Sequence, residues 1–183
     1  LRDTSLIRVH YGGWSSGFSA TLNFDFIEGT PPREVLQIEN MYPVDEYTYR
    51  SLADDESFPA ITKTFDESIR GVALKSYISG HKHAGPENCC EWTPKNHFLS
   101  IDNQVVNQWS VWKDCGMNPI FPQGGTWAFD RAGWCPGSAV DLKVNELTEF
   151  VNTDLSYSLD YIVEPYQNTG EDTGTFIVSN TLF

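Results

Sequence analysis

Basic residues are scarce in this sequence. Lysine and arginine total 12 against 25 aspartates and glutamates, a formal net charge of −13 over 183 residues. Tracking nucleic-acid phosphates, or docking on anionic lipid through charge, needs a basic face, so the balance argues against both partners. Long apolar runs are missing as well. Nothing approaches the roughly 18 consecutive apolar residues of a membrane-spanning helix. Cysteine occurs only at positions 89, 90, 115 and 135, too thin for a disulfide scaffold yet compatible with a secreted, extracellular domain. No C-x-x-C is present, which argues against a zinc knuckle, and no N-x-Ser/Thr advertises N-glycosylation. Gly-x-Ser-x-Gly, a phosphate-cradling glycine loop and Cys–His spacing are all absent, which leaves serine hydrolase, nucleotide enzyme and cysteine protease unsupported. The chain starts at Leu1 with no secretory leader pattern, so the expectation is a processed chain or a piece of a longer one.

What is present is aromatic and strand-like. Hydrophobic residues make up 40% and Phe, Tyr and Trp 14%, too much apolar content for a disordered acidic tail. The length suits one domain, residues 1–183, with a real core. Phe18, Ala20, Leu22, Phe24 and Phe26 alternate with Ser19, Thr21, Asn23 and Asp25. Val72, Leu74, Ser76 and Ile78 form a similar set, as do Val140, Leu142 and Val144, and Leu155, Tyr157, Leu159, Tyr161 and Val163. Period-two alternation sends one set to the core and the other to solvent or a second layer. Turn-forming clusters at residues 29–32, 83–88, 102–103, 124–126 and 168–170 punctuate these runs, and no capped helix with 3.6-residue spacing stands out. Many short strands with Gly/Pro turns predict an all-β antiparallel sandwich or jelly roll. Asp54, Asp55 and Glu56 read as a solvated loop, and residues 1–14 either return to their own sheet or present Arg8, His10 and Tyr11 to a neighbour.

The chemistry-bearing residues gather between residues 80 and 137. This stretch holds every cysteine, five of the six tryptophans and three of the four histidines, on what the pattern predicts to be long loops. Cys115 and Cys135, 20 positions apart, would close a stapling loop if oxidised. Adjacent Cys89 and Cys90 leave three states open: a vicinal disulfide, buried thiols, or a bond to another chain. Glu91 lies between Cys90 and Trp92. An indole and a sulfur around a carboxylate would desolvate it and raise its pKa, as a general acid requires, whereas most loop glutamates are merely solvated. Arg131, in a tight Gly/Pro loop, would either orient a carbonyl or carboxylate or stitch the loop to Asp130 or Asp114. His81 and His83 are spaced to share one strand face, with His97 as a third ligand for copper or zinc; two histidines at that spacing also arise by chance. Trp92, Trp109, Trp112, Trp127 and Trp134 would either build a sugar-binding platform or fill a core beneath loops.

The same centre resembles the C-terminal half of the peptide-N-glycosidase F family, amidases that release N-linked glycans from asparagine. The resemblance rests on Ile78-Ser79-Gly80, His83-Ala84, Cys89-Cys90-Glu91-Trp92, Asn96-His97, Cys115 and Asn118-Pro119. The most specific stretch is Asp130-Arg131-Ala132-Gly133-Trp134-Cys135-Pro136-Gly137, and residues 155–161 and 176–179 look like closing strands. The resemblance implies an eight-stranded antiparallel jelly-roll sandwich with long central loops, one of two such jelly rolls packed side by side, with the active site in the cleft between them. The copper-dependent peptidylglycine hydroxylating monooxygenases share that pairing. By position, the resemblance makes Glu91 the cleft glutamate of the second domain. It makes Trp92 and Arg131 neighbours of Glu91 in that cleft and Cys115 and Cys135 a disulfide; with the tryptophan platform, Trp92, Trp127 and Trp134 are the expected substrate-binding residues.

Departures accompany the match. The family's essential aspartate belongs to the first jelly roll, for which this chain has no room. The family's Cys-x-Glu-x-Cys reads here Cys89-x-Glu91-x-Thr93, with Cys90 extra, and His81 occupies a position expected to be aromatic. Hence three expectations are ranked. The first is the second half of a glycosylasparagine amidase, with Glu91 and Arg131 catalytic but incompetent without a second jelly-roll domain or neighbouring subunit. The second is a non-catalytic extracellular module for assembly or carbohydrate binding. The third, well behind, is a metal-binding module on His81, His83 and His97.

Overall fold

A computed structural model describes residues 7, 9, 21–30, 33–53, 55–118, 120 and 122–183. The chain divides into two compact units, Leu1–Glu34 and Val35–Phe183. In the first unit the described residues form no helix or strand. Thr21 to Phe26, expected as a half-buried strand, are exposed and irregular. The rest of that expected strand, Phe18 to Ala20, lies outside the described residues, as do Arg8, His10, Tyr11, Trp14, Asp54 and Pro119.

The regular structure of the second unit is almost wholly antiparallel strand. They are β1 (Glu39–Asn40), β2 (Asp45–Thr48), β3 (Ile61–Thr64), β4 (Ala73–His81), β5 (His83–Ala84), β6 (Cys89–Cys90), β7 (Lys95–Ile101), β8 (Gln104–Val111), β9 (Leu142–Glu146), β10 (Ser156–Val163) and β11 (Thr175–Leu182). The described helices are α1 (Tyr49–Ala53) and one 3-10 turn (Thr148–Phe150). One sheet has the order β1-β11-β4-β9, with β2 also on β11; the second has the order β3-β10-β7-β8; β5 and β6 form a small hairpin. Asp102 and Asn103, both with positive φ, make the tight turn between β7 and β8 that the sequence marked.

The alternation in β10 works as the sequence predicts. Tyr157, Leu159, Tyr161 and Val163 turn inward and are buried, while Leu155 precedes the strand and is exposed. Leu74 and Ile78 of β4 and Phe176, Val178 and Leu182 of β11 face them within the same core. Phe58 is packed edge-on against Tyr42 at 5.0 Å and Tyr161 at 4.9 Å between ring centroids. Trp109, one of the tryptophans considered for a sugar platform, belongs to this core.

Strand β9 reverses expectation. Leu142 and Val144 point outward and are exposed, and Asn145 is the buried residue. Register is the cause: Leu142 pairs with Tyr77 and Val144 with Lys75, the outward set of β4. Directly paired residues share a sheet face, so a one-residue offset decides which set goes inside. Lys113 supports that register by reaching the Ala139 carbonyl at 2.9 Å and Asp141 Oδ1 at 2.6 Å just before the strand begins.

His97 is sealed between the sheets. Its Nδ1 lies 2.5 Å from the Tyr161 hydroxyl and its ring meets Phe176 edge-on at 5.1 Å. Burial pushes its pKa down from 6.5 to about 3. The unfolded chain therefore takes up a proton on this residue below about pH 6.5, while the fold refuses it until about pH 3. Stability present above pH 6.5 should fall through that window by about 1.4 kcal/mol per pH unit from this residue alone. Urea unfolding at several pH values should give a steeper acid loss for the wild type than for His97→Phe, by one proton; parallel curves would contradict it.

Candidate functional site

The site forms where β4 leaves β9. From Ile78 onward, β4 is bordered by loop 131–134: Gly80 N–H donates to the Ala132 carbonyl at 2.9 Å, and Trp134 Nε1 donates to the Gly80 carbonyl at 2.7 Å. The approach is so close that only glycine fits at two places. A Cβ on Gly80 would lie 1.9 Å from the Cys90 carbonyl oxygen. One on Gly133, at φ +75°, would lie 2.2 Å from that of Ile78.

Just beyond β4, Lys82 adopts a left-handed backbone with φ 60° and turns the chain into the β5–β6 hairpin. The hairpin returns Glu91 to Lys82. Glu91 N–H donates to the Lys82 carbonyl at 3.1 Å, and Lys82 N–H donates to Glu91 Oε2 at 2.9 Å. Glu91 Oε1 accepts from Arg131 Nη1 at 3.1 Å. The guanidinium is almost completely buried, with side-chain exposure of 4%, against 15% for Glu91. Arg131 Nε donates to the Phe129 carbonyl at 3.2 Å and Nη2 to the Thr126 carbonyl. Trp92 and Trp134 face the guanidinium at 4.6 and 4.8 Å from their ring centroids.

Glu91, Arg131, Trp92 and Trp134 are thus brought together. The surroundings of Glu91 differ from those expected: its two oxygens meet the Arg131 guanidinium and the Lys82 backbone N–H. Arg131 pairs with Glu91 and with neither Asp130 nor Asp114, whose carboxylates accept the N–H groups of Cys115 and Gly116. Trp127 is half-buried on the neighbouring turn, and among the described residues the guanidinium faces Trp92 and Trp134 instead.

The three histidines do not converge. Lys82 breaks the strand between His81 and His83, so the two do not share a continuous strand face. His81 Nε2 lies 2.8 Å from Ser79 Oγ and its ring is 5.1 Å from that of Trp134; His83 is exposed; His97 is in the core of the sandwich. Among the described residues no group of three His, Cys, Asp or Glu could hold a metal ion. Burial lowers the pKa of His81, and nearby Glu46 opposes that shift.

Glu46 went unnoticed in the sequence. It comes from β2, accepts from Thr175 Oγ1 at 2.7 Å and pairs with Lys82 Nζ at 3.0 Å. The Thr175 hydrogen bond, then the Lys82 contact, hold its carboxyl below the usual range. Its partners come from two stretches remote in sequence, around Lys82 and at Thr175, so no local pattern marks it. Cys115 and Cys135 form a disulfide with Cα atoms 5.5 Å apart, and Cys89 and Cys90 are joined to each other.

An almost completely buried guanidinium, flanked by two indoles and paired with a partly buried carboxylate, marks one end of the β sandwich. The family described as Peptide-N-glycosidase F, C terminal, matches residues 48–183, and the chain belongs to it. The peptide-N(4)-(N-acetyl-beta-D-glucosaminyl)asparagine amidase F of Elizabethkingia miricola is 29% identical over 190 residues, covering 96% of this chain and 52% of the relative. The solved structure of PNGase F, a glycosylasparaginase from Flavobacterium meningosepticum, superposes with a TM-score of 0.68 at 25% identity, over 85% of this chain and 53% of that one. PNGF-II shares the fold at a TM-score of 0.57 and 18% identity, over 74% of this chain and 26% of its own. The chain therefore spans about half the length of the curated amidase it matches.

Two stability effects follow. Glu91→Ala strands the Arg131 charge in a nearly dry site and should destabilise the fold by about 3 kcal/mol in chemical denaturation. A loss below a few tenths would mean that the guanidinium finds another partner. Replacing both Cys115 and Cys135 by serine releases a 20-residue loop and should also remove about 3 kcal/mol, read as a lower denaturation midpoint under non-reducing conditions.

Proposed function

We propose that this chain is the second, jelly-roll half of a secreted glycosylasparagine amidase. Support for the jelly roll comes from the two sheet orders, β1-β11-β4-β9 and β3-β10-β7-β8, in which strands from early in the sequence pair with strands from its end. Support for the chemistry comes chiefly from one observation, the Arg131/Glu91 pair caged by Trp92 and Trp134 within the family-matched region. The two disulfides fit an extracellular setting.

Hydrolysis of a glycosylated asparagine side chain adds water across its amide carbon, breaks the C–N bond and releases a glycosylamine. Each Glu91 oxygen has one protein contact and retains a lone pair for a water or sugar hydroxyl. Arg131 holds that carboxylate in place and contributes positive charge beside it. Trp92 and Trp134 present apolar faces suited to a sugar ring, with Trp127 on the adjacent turn. The second acidic group and the opposite wall of the cleft come from another jelly-roll domain or subunit, so the isolated chain is inactive.

The contrary reading, a non-catalytic module for assembly or carbohydrate binding, has its own support. The Arg131 N–H groups and both Glu91 oxygens already have partners inside the chain, as in a purely structural stitch. Glycan release from a glycopeptide separates the two. The natively purified protein should release glycan, and Glu91→Gln, folded by circular dichroism, should lower the rate by about 10²- to 10⁴-fold. A native preparation without release, or a Glu91→Gln variant at full rate, favours the module.

A further inference from the structure

We propose that the inner face of the five-stranded sheet carries a closed site for a small cluster of water molecules, held by Ser76, Asn145 and Asn180. These three residues are 1, 2 and 1% exposed. They come from three neighbouring strands, β4, β9 and β11. Asn180 lies directly opposite Ser76. Asn145 lies opposite Leu74, which makes it a diagonal neighbour of Ser76. Leu74, Ile78, Val178 and Leu182 share that inward face and belong to the apolar core. A polar row therefore interrupts an apolar wall.

The protein does not satisfy this row by itself. Ser76 Oγ, Asn145 Oδ1 and Nδ2, and Asn180 Oδ1 and Nδ2 find no hydrogen-bond partner in the chain. Main-chain groups of the three strands are committed to the sheet ladders. Buried polar atoms left unpaired cost stability, and native folds pair the large majority of them. The donor set defines the ligand. Each carboxamide offers N–H donors and a carbonyl acceptor, and the hydroxyl does both. A cation would satisfy only the oxygens and an anion only the N–H groups, and three neutral side chains supply a countercharge to neither. Water donates and accepts, and about two waters making about three bonds each match these atoms. The site also accounts for β9, where Asn145 goes inward while Leu142 and Val144 go outward. A one-residue slip would put Val144 against the waters and remove their partner, so the cluster favours the observed register.

Water–amide NOE spectroscopy on the isotope-labelled 183-residue chain reads the site directly. The side-chain N–H protons of Asn145 and Asn180 should show cross-peaks to water with the sign of intramolecular ones, the mark of water that tumbles with the protein. Asn103, exposed in the turn after β7, should show none of that sign. Ser76→Ala takes a partner from the waters, so it should weaken both cross-peaks and lower the melting temperature by about 3 °C. Amide protons without such a water cross-peak would overturn the proposal. Cross-peaks between the two carboxamides in place of those to water would overturn it in favour of direct side-chain pairing. A melting temperature unchanged or raised in Ser76→Ala would overturn it too, because removing an unpaired buried hydroxyl costs no hydrogen bond.

Discussion

A guanidinium held out of water needs an acceptor for its N–H groups, and that requirement on Arg131 organises one end of the second unit's sandwich. Its acceptors are Glu91, Thr126 and Phe129, and its flat faces meet Trp92 and Trp134. These residues come from the β6 hairpin, the central turn and the disulfide-bound loop, segments with little regular structure of their own. Burial draws the Arg131 pKa down, and Glu91 opposes the shift by keeping the charged form in balance. The same pair that fixes three loops is therefore the chemically distinctive feature of the candidate site.

Strand β4 joins that site to the sandwich. Over Ala73 to Tyr77 it pairs with β9, and over Ile78 to His81 the glycine-rich loop takes the place of β9. Gly133 permits the substitution because a side chain there would collide with the Ile78 carbonyl oxygen, and Gly80 because one there would collide with Ala132 Cβ and with the Cys90 carbonyl of β6. One long strand thus serves as core wall at one end and as the floor of the site at the other. His97, in the second sheet, belongs wholly to the first of these tasks: its burial and its contact with Tyr161 make it a core residue, away from any ligand set.

Much of this was legible in the sequence where a face is strongly alternating. Tyr157, Leu159, Tyr161 and Val163 go inward because a buried face tolerates no register slip. Cys89-Cys90-Glu91-Trp92 and the stretch from Asp130 to Gly137 marked the site, and Glu91 and Arg131 meet there. Three things were not legible. Leu142 and Val144 alternate as well as any core strand, yet pairing with Tyr77 and Lys75 turns them outward. Glu46 joins the site through Lys82 and Thr175, partners remote in sequence. His81 and His83 have metal-like spacing, but the left-handed Lys82 between them ends the strand.

By itself the sequence determined the antiparallel β class, the family and most turn positions, and it marked the segments that the fold gathers around Arg131. These depend on short-range alternation, on residue types that only certain backbones accept, and on one compact eight-residue loop. The tertiary structure decided which alternating set faced the core, which acid neutralised Arg131, and whether the histidines met. Those outcomes depend on the register of strands far apart along the chain, and a one-residue change in register exchanges the two faces of a strand while leaving its local pattern the same.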